Sequence, residues 1–122
     1  MFTYKQSTGQ LTLNGQPFGK GYSGMQGVGY DNPAEQFVKD VGPIPEGFYT
    51  IEGPPFNTTE HGPFVMRLTP DAANDMEGRS GLLCHGDSVV HPGAASEGCV
   101  IMPRLVREAM WSSGDRRLQV IA

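Results

Sequence analysis

The sequence predicts a mainly β fold in a single small domain, with one short helix near the C-terminus. Three observations carry that expectation. The chain has 122 residues, enough for one compact core and too few for two. It holds 17 glycines and 10 prolines with only 18% charged residues, a composition of short elements joined by turns. Strand-like runs recur along it, whereas one stretch alone carries convincing helical spacing.

Phe2 to Lys5 reads as the first strand, Ser7-Thr8-Gly9 as a turn, and Gln10 to Leu13, with alternating character, as the second strand. Asn14-Gly15 is a strong hairpin signal, because both central residues of a type I′ turn need positive φ. A third strand is expected from Gln16 to about Tyr22. Ser23 to Pro45, SGMQGVGYDNPAEQFVKDVGPIP, is rich in Gly and Pro without a sustained period. It reads as a long ordered loop with one helical turn at Ala34 to Lys39, and long loops in compact domains usually serve function.

Strands recur at Gly47 to Glu52, Phe64 to Thr69 and Gly81 to His85, with Pro70 to Ser80 as a polar loop between the last two. The run GLLCH suits a buried strand. Pro103 opens the helix, since proline is favoured at the first helical position. Leu105, Val106, Ala109 and Met110 fall on one face, leaving Arg104 and Arg107 for the solvent side, and Gly114 ends the helix. A last strand runs from Arg117 to Ile121. No repeat or linker divides residues 1–122.

The formal net charge of −4 provides no basic stripe, so nucleic acid is not an expected partner. No run approaches the roughly 18 apolar residues of a membrane-spanning helix. The opening MFTYKQSTGQ lacks an apolar core behind basic residues, so a protein made in the cytoplasm without a classical signal peptide is expected. Two cysteines, Cys84 and Cys99, are too few for a disulfide framework and lack the paired spacing of a zinc site, although a single bridge between them is conceivable.

Chemistry concentrates in HGDSVVHPGAASEGCV, residues 85–100. Cys99 follows Gly98, whose lack of a side chain lets backbone approach a substrate carbonyl and exposes the thiol. A neighbouring histidine can lower the thiol pKa and return a proton to a leaving amine; the alternative is that Cys99 is simply a small buried hydrophobe. His85 ends an apolar strand, where its backbone is held rigidly, and a hairpin could fold it back beside Cys99; His91 lies in the more mobile loop. Asp87 either orients an imidazole or is an ordinary turn residue. Arg79 either binds a substrate carboxylate or faces water. His61, in Glu60-His61-Gly62-Pro63, reads as a solvated loop histidine. Cys84 alternates with His85 and belongs to the core.

The run GRSGLLCHGD…ASEGCV resembles the active-site signature of L,D-transpeptidases of the YkuD type, and is closer still to the related domain of type VI secretion L,D-transpeptidase effectors. GYSGMQGVGYDNP, which includes Tyr22 and Ser23, and VGPIPEGFYTI resemble further elements of that family, so the likeness covers nearly the whole chain. The resemblance implies a YkuD-like β-sandwich or mixed sheet. It also implies that Cys99 is the acylated nucleophile, His85 the general base, and Ser96 and Gly98 the turn that supports the nucleophile and its oxyanion. Peptidoglycan stem peptides are the implied substrate, attacked between diaminopimelate and D-Ala with release or exchange of D-Ala. No cofactor or metal is implied. Glu97 stands where YkuD enzymes carry a second histidine, so backbone N–H groups near Gly98 and Cys99 are expected to hold the oxyanion.

An effector of this kind would be carried by secretion machinery into the periplasm of a target bacterium, and its producer would need an immunity protein. Three other readings are open. A non-catalytic peptidoglycan- or partner-binding module would keep the fold without turnover; a papain-like amidase would cut between D-Glu and the third stem residue; a metal protein would use His85, His91 and Cys99.

Overall fold

A computed structural model describes all residues from Met1 to Ala122. The strands are β1 (Phe2–Lys5), β2 (Gln10–Leu13), β3 (Gln16–Lys20), β4 (Tyr22–Ser23), β5 (Gly47–Thr58), β6 (Gly62–Pro70), β7 (Leu83–His85), β8 (Val100–Ile101) and β9 (Arg117–Ile121), and the one helix is α1 (Arg104–Ser112). All nine strands join one mixed sheet in the order β3-β2-β1-β9-β5-β6-β7-β8-β4. Of the two arrangements left open by the sequence, the chain takes the mixed sheet.

The β2–β3 hairpin follows its Asn-Gly signal: Asn14 and Gly15 both have positive φ, at 49° and 84°. The strand expected from Gln16 to Tyr22 divides at Gly21, and the division closes the sheet. β3 and β4 stand at opposite ends of the strand order yet are separated in the chain by Gly21 alone, so the sheet must curl back on itself at that residue. A Cβ on Gly21 would collide with the Ile101 carbonyl, which accounts for glycine at the corner.

Alternation sorts the strands into an inner and an outer face. Phe2 and Tyr4 of β1, Tyr49 and Ile51 of β5, Met66 and Leu68 of β6, and Leu118 and Val120 of β9 all join one buried cluster. β5 and β6 run further than the sequence indicates, to Thr58 and from Gly62. The register slips between Glu52 and Phe56, where Pro54 and Pro55 have no amide to donate.

Helix α1 differs from expectation by about one position around its axis. Arg107 and Met110 are its buried residues, Val106 and Trp111 pack beside them, and Leu105 is 79% exposed. Arg107 faces inward because its guanidinium finds backbone carbonyls there. Pro103 sits at the N-cap, and Gly114, with φ 77°, ends the helix by donating to the Trp111 carbonyl. The helical turn in the long loop is shorter than expected, a 3₁₀ turn at Pro33–Glu35 capped by the Asn32 side chain.

Candidate active site

β7 and β8 are parallel neighbours, with Cys84 opposite Val100 and His85 opposite Ile101. Extended back one residue, that register sets Cys99 across from Leu83. Side chains alternate along each strand, so Leu83, His85, Cys99 and Ile101 share one face while Cys84 and Val100 share the other. The second pair lies in the core, with Cys84 fully buried and its thiol pushed up to about 12 by desolvation. Both cysteines are free thiols on opposite faces. His85 and Cys99 line one cleft of about 1130 Å³.

The parallel pairing replaces the expected hairpin. A parallel connection needs about a dozen residues to bring the chain back to its starting end, and the segment between His85 and Cys99 supplies them. Side chains hold this segment in shape. Asp87 accepts hydrogen bonds from the Tyr22 hydroxyl at 2.6 Å, the Ser88 amide at 2.8 Å and the Gly93 amide at 3.1 Å. It therefore organises the loop and orients no imidazole. Tyr22 also accepts from the Ala95 amide at 2.9 Å. His91 is exposed and does not line the cleft, so the set His85, His91 and Cys99 is not assembled.

The turn into Cys99 is fixed from two sides. The Ser96 hydroxyl donates to the Cys99 carbonyl at 2.6 Å and accepts from the Gly24 and Gly98 amides at 2.9 and 3.1 Å. Ser23 donates to the Gly98 carbonyl at 3.0 Å and accepts from the Ile44 amide at 2.8 Å. Gly98 has φ 138°, and a Cβ there would strike the Arg79 guanidinium, so only glycine suits the position. Because Ser96 engages the Gly98 amide, that N–H is not free to hold an oxyanion; the Cys99 amide has no protein acceptor.

Arg79 neither reaches into the cleft nor faces water. It is 5% exposed, and its two terminal nitrogens donate to the carbonyls of Gln36 and Pro43, both at 2.6 Å, Gly42 at 2.9 Å and Glu97 at 3.1 Å. It thereby ties the long loop to the Cys99 turn. Arg107 behaves alike behind His85, donating to the carbonyls of Met102 at 3.0 Å and of Pro63 and Phe64 at 2.8 Å. Neither guanidinium has a carboxylate partner, so each retains its field.

Burial shifts the two cleft residues in opposite senses, while both guanidinium fields lower the pKa of the residue they face. Burial raises the Cys99 thiol above its ordinary value, while a backbone hydrogen bond from Leu83 and the Arg79 charge pull it down. Burial lowers His85 to about 4; the Gly86 carbonyl opposes this, and His61 and Arg107 reinforce it. The resting pair is thus a neutral thiol and a neutral imidazole. His85 Nδ1 lies 2.8 Å from the Gly86 carbonyl, which can only accept, so Nδ1 carries the proton. Nε2 is left as the free base, buried and without a partner.

One residue that the sequence assigns to solvent lies against this ring. His61 stacks on His85 with centroids 4.2 Å apart and planes 28° from parallel. The register of β6 against β7 explains it: Met66 pairs with Cys84, so the start of β6 and the turn before it overhang the end of β7. A histidine in that turn has no local sequence signal, because the contact depends on long-range register.

A family model described as the Tlde1 domain matches residues 19–121, a span that contains the whole cleft. No curated protein matches the chain.

Proposed function

The chain belongs to the Tlde1 domain family of type VI secretion effectors directed at peptidoglycan, and from that premise we propose that it is a cysteine peptidyltransferase of L,D-transpeptidase or L,D-carboxypeptidase type. The observation that carries the reading is the sharing of one sheet face and one cleft by Cys99 and by a buried histidine whose Nε2 is unprotonated and unpartnered.

In the proposed cycle, His85 Nε2 takes the Cys99 thiol proton as sulfur attacks the carbonyl joining diaminopimelate to D-Ala. The C–N bond breaks, the same nitrogen returns the proton to departing D-Ala, and a thioester remains on Cys99. Water resolves it by hydrolysis; a D-amino acid or a neighbouring stem amine resolves it by exchange or crosslinking. Because the free thiol is held neutral, ionisation accompanies attack rather than preceding it. The Cys99 N–H is the backbone donor available for the oxyanion, Gly98 being engaged by Ser96. Arg79 supports the developing thiolate from behind, and no metal or cofactor takes part.

Action in the periplasm of a target bacterium, delivery by secretion machinery and an immunity protein in the producer complete the proposal. The test is mass spectrometry of tetrapeptide muropeptides incubated with the protein, with and without an added D-amino acid. Loss or replacement of D-Ala supports the reading. Cleavage between D-Glu and the third residue would establish an amidase instead, and unchanged muropeptides that bind would establish a binding module.

A further inference from the structure

His61 has no part in the cycle above, yet its ring covers the base that the cycle depends on. Its side chain is 24% exposed and its Nε2 lies 3.9 Å from a Glu60 carboxylate oxygen. We propose that His61 is a positioning residue for His85: its ring fixes the orientation of the imidazole and keeps water from the face it covers. The proposal rests on the reading of His85 as the base.

Two pieces of geometry support it. The terminal torsion of a histidine is broad, so a base on a strand end needs more than its backbone to aim it. Here Nδ1 is tied to the Gly86 carbonyl and one ring face is covered by His61, which leaves the ring no alternative orientation without losing both contacts. The second concerns charge. His85 is 1% exposed, so an imidazolium formed there lacks water to solvate it. The groups facing it are Arg107 from α1 and His61 from the β5–β6 turn, which both oppose the charge, and Glu60 from the same turn, which favours it. Glu60 is largely exposed and acts through solvent. The stacked His61 ring instead covers one face of His85 and, like Arg107, disfavours its protonation, so it helps to keep Nε2 a free base.

The experiment compares His61→Ala with His61→Phe, which keeps the ring and removes its nitrogens. D-Ala release from tetrapeptide muropeptides gives kcat and KM. The His85 ring titration by NMR, in the Cys99→Ala background without substrate, gives a second readout. The expected result is a fall in kcat of about tenfold or more for His61→Ala with KM little changed, and recovery to within about threefold for His61→Phe. The His85 midpoint should rise toward the ordinary histidine value in His61→Ala and stay depressed in His61→Phe. Wild-type kcat and an unmoved His85 midpoint in His61→Ala would overturn the proposal, and so would equal impairment of the two variants. Absence of turnover by the wild-type protein would count against the proposed reaction, while the titration still reads the contact itself.

Discussion

Replacing Arg79 by Met should destabilise the protein strongly even though no ion pair is lost. The guanidinium is 5% exposed and donates to four backbone carbonyls, three from the long loop and one from Glu97. Hydrogen bonds from a charged donor contribute about 1.5–3 kcal/mol each, roughly 6–12 kcal/mol together before desolvation is counted. Burying the cation costs several kcal/mol, so a net loss of about 3–5 kcal/mol is expected for Arg79→Met. Arg79→Lys keeps the charge but loses the planar fork, and should lose about 1–2 kcal/mol. Urea denaturation followed by the fluorescence of Trp111, the single tryptophan, measures both. For a chain of this size the Met variant should melt about 10–20 °C lower. An Arg79→Met protein within about 1 kcal/mol of wild type, or a Lys variant no better than Met, would refute the reasoning.

His85 makes stability depend on pH with a defined sign. Its folded pKa of about 4 lies below the ordinary 6.5, so its contribution is complete above pH 6.5 and is lost as pH falls toward 4. The gap corresponds to about 3 kcal/mol. Urea denaturation at both ends of that window should show this loss in wild type and not in His85→Leu; the effects of Asp71 and Asp115, whose carboxyls are held low by Arg117 and the N-terminus, are common to both proteins. Ser96→Ala leaves the Gly24 and Gly98 amides without an acceptor and should cost about 2–4 kcal/mol in the same assay. Cys99, with its thiol raised by burial, should react with iodoacetamide at pH 7 more slowly than a free thiol and gain rate up to and beyond pH 9. Rapid alkylation at pH 7 would contradict a neutral resting pair.

The elements with local signals were legible in the sequence. β1, β2 and β9 have the bounds that their patterns predict, and Asn14-Gly15 sets its turn. Cys99 and His85 stand out in the sequence as parts of one motif, but the parallel register that puts them on one face is not legible there, because nothing local fixes strand direction. Arg79, Arg107 and His61 were misread for a common reason. An arginine surrounded by carbonyls and a histidine stacked on another look like surface residues until distant segments are brought together. Leu105 faces solvent for a related reason: Arg107 occupies the inner side of α1 that an apolar count alone would give to leucine.

The central claim is that Cys99 carries the acyl group. Rapid quenching of the protein with a tetrapeptide muropeptide, followed by proteolysis and tandem mass spectrometry, tests it most directly. The expected result is an added stem-peptide acyl mass on the peptide containing Cys99, with adduct and D-Ala release both absent in Cys99→Ala. Undiminished D-Ala release by Cys99→Ala, or an adduct on another residue, would contradict it.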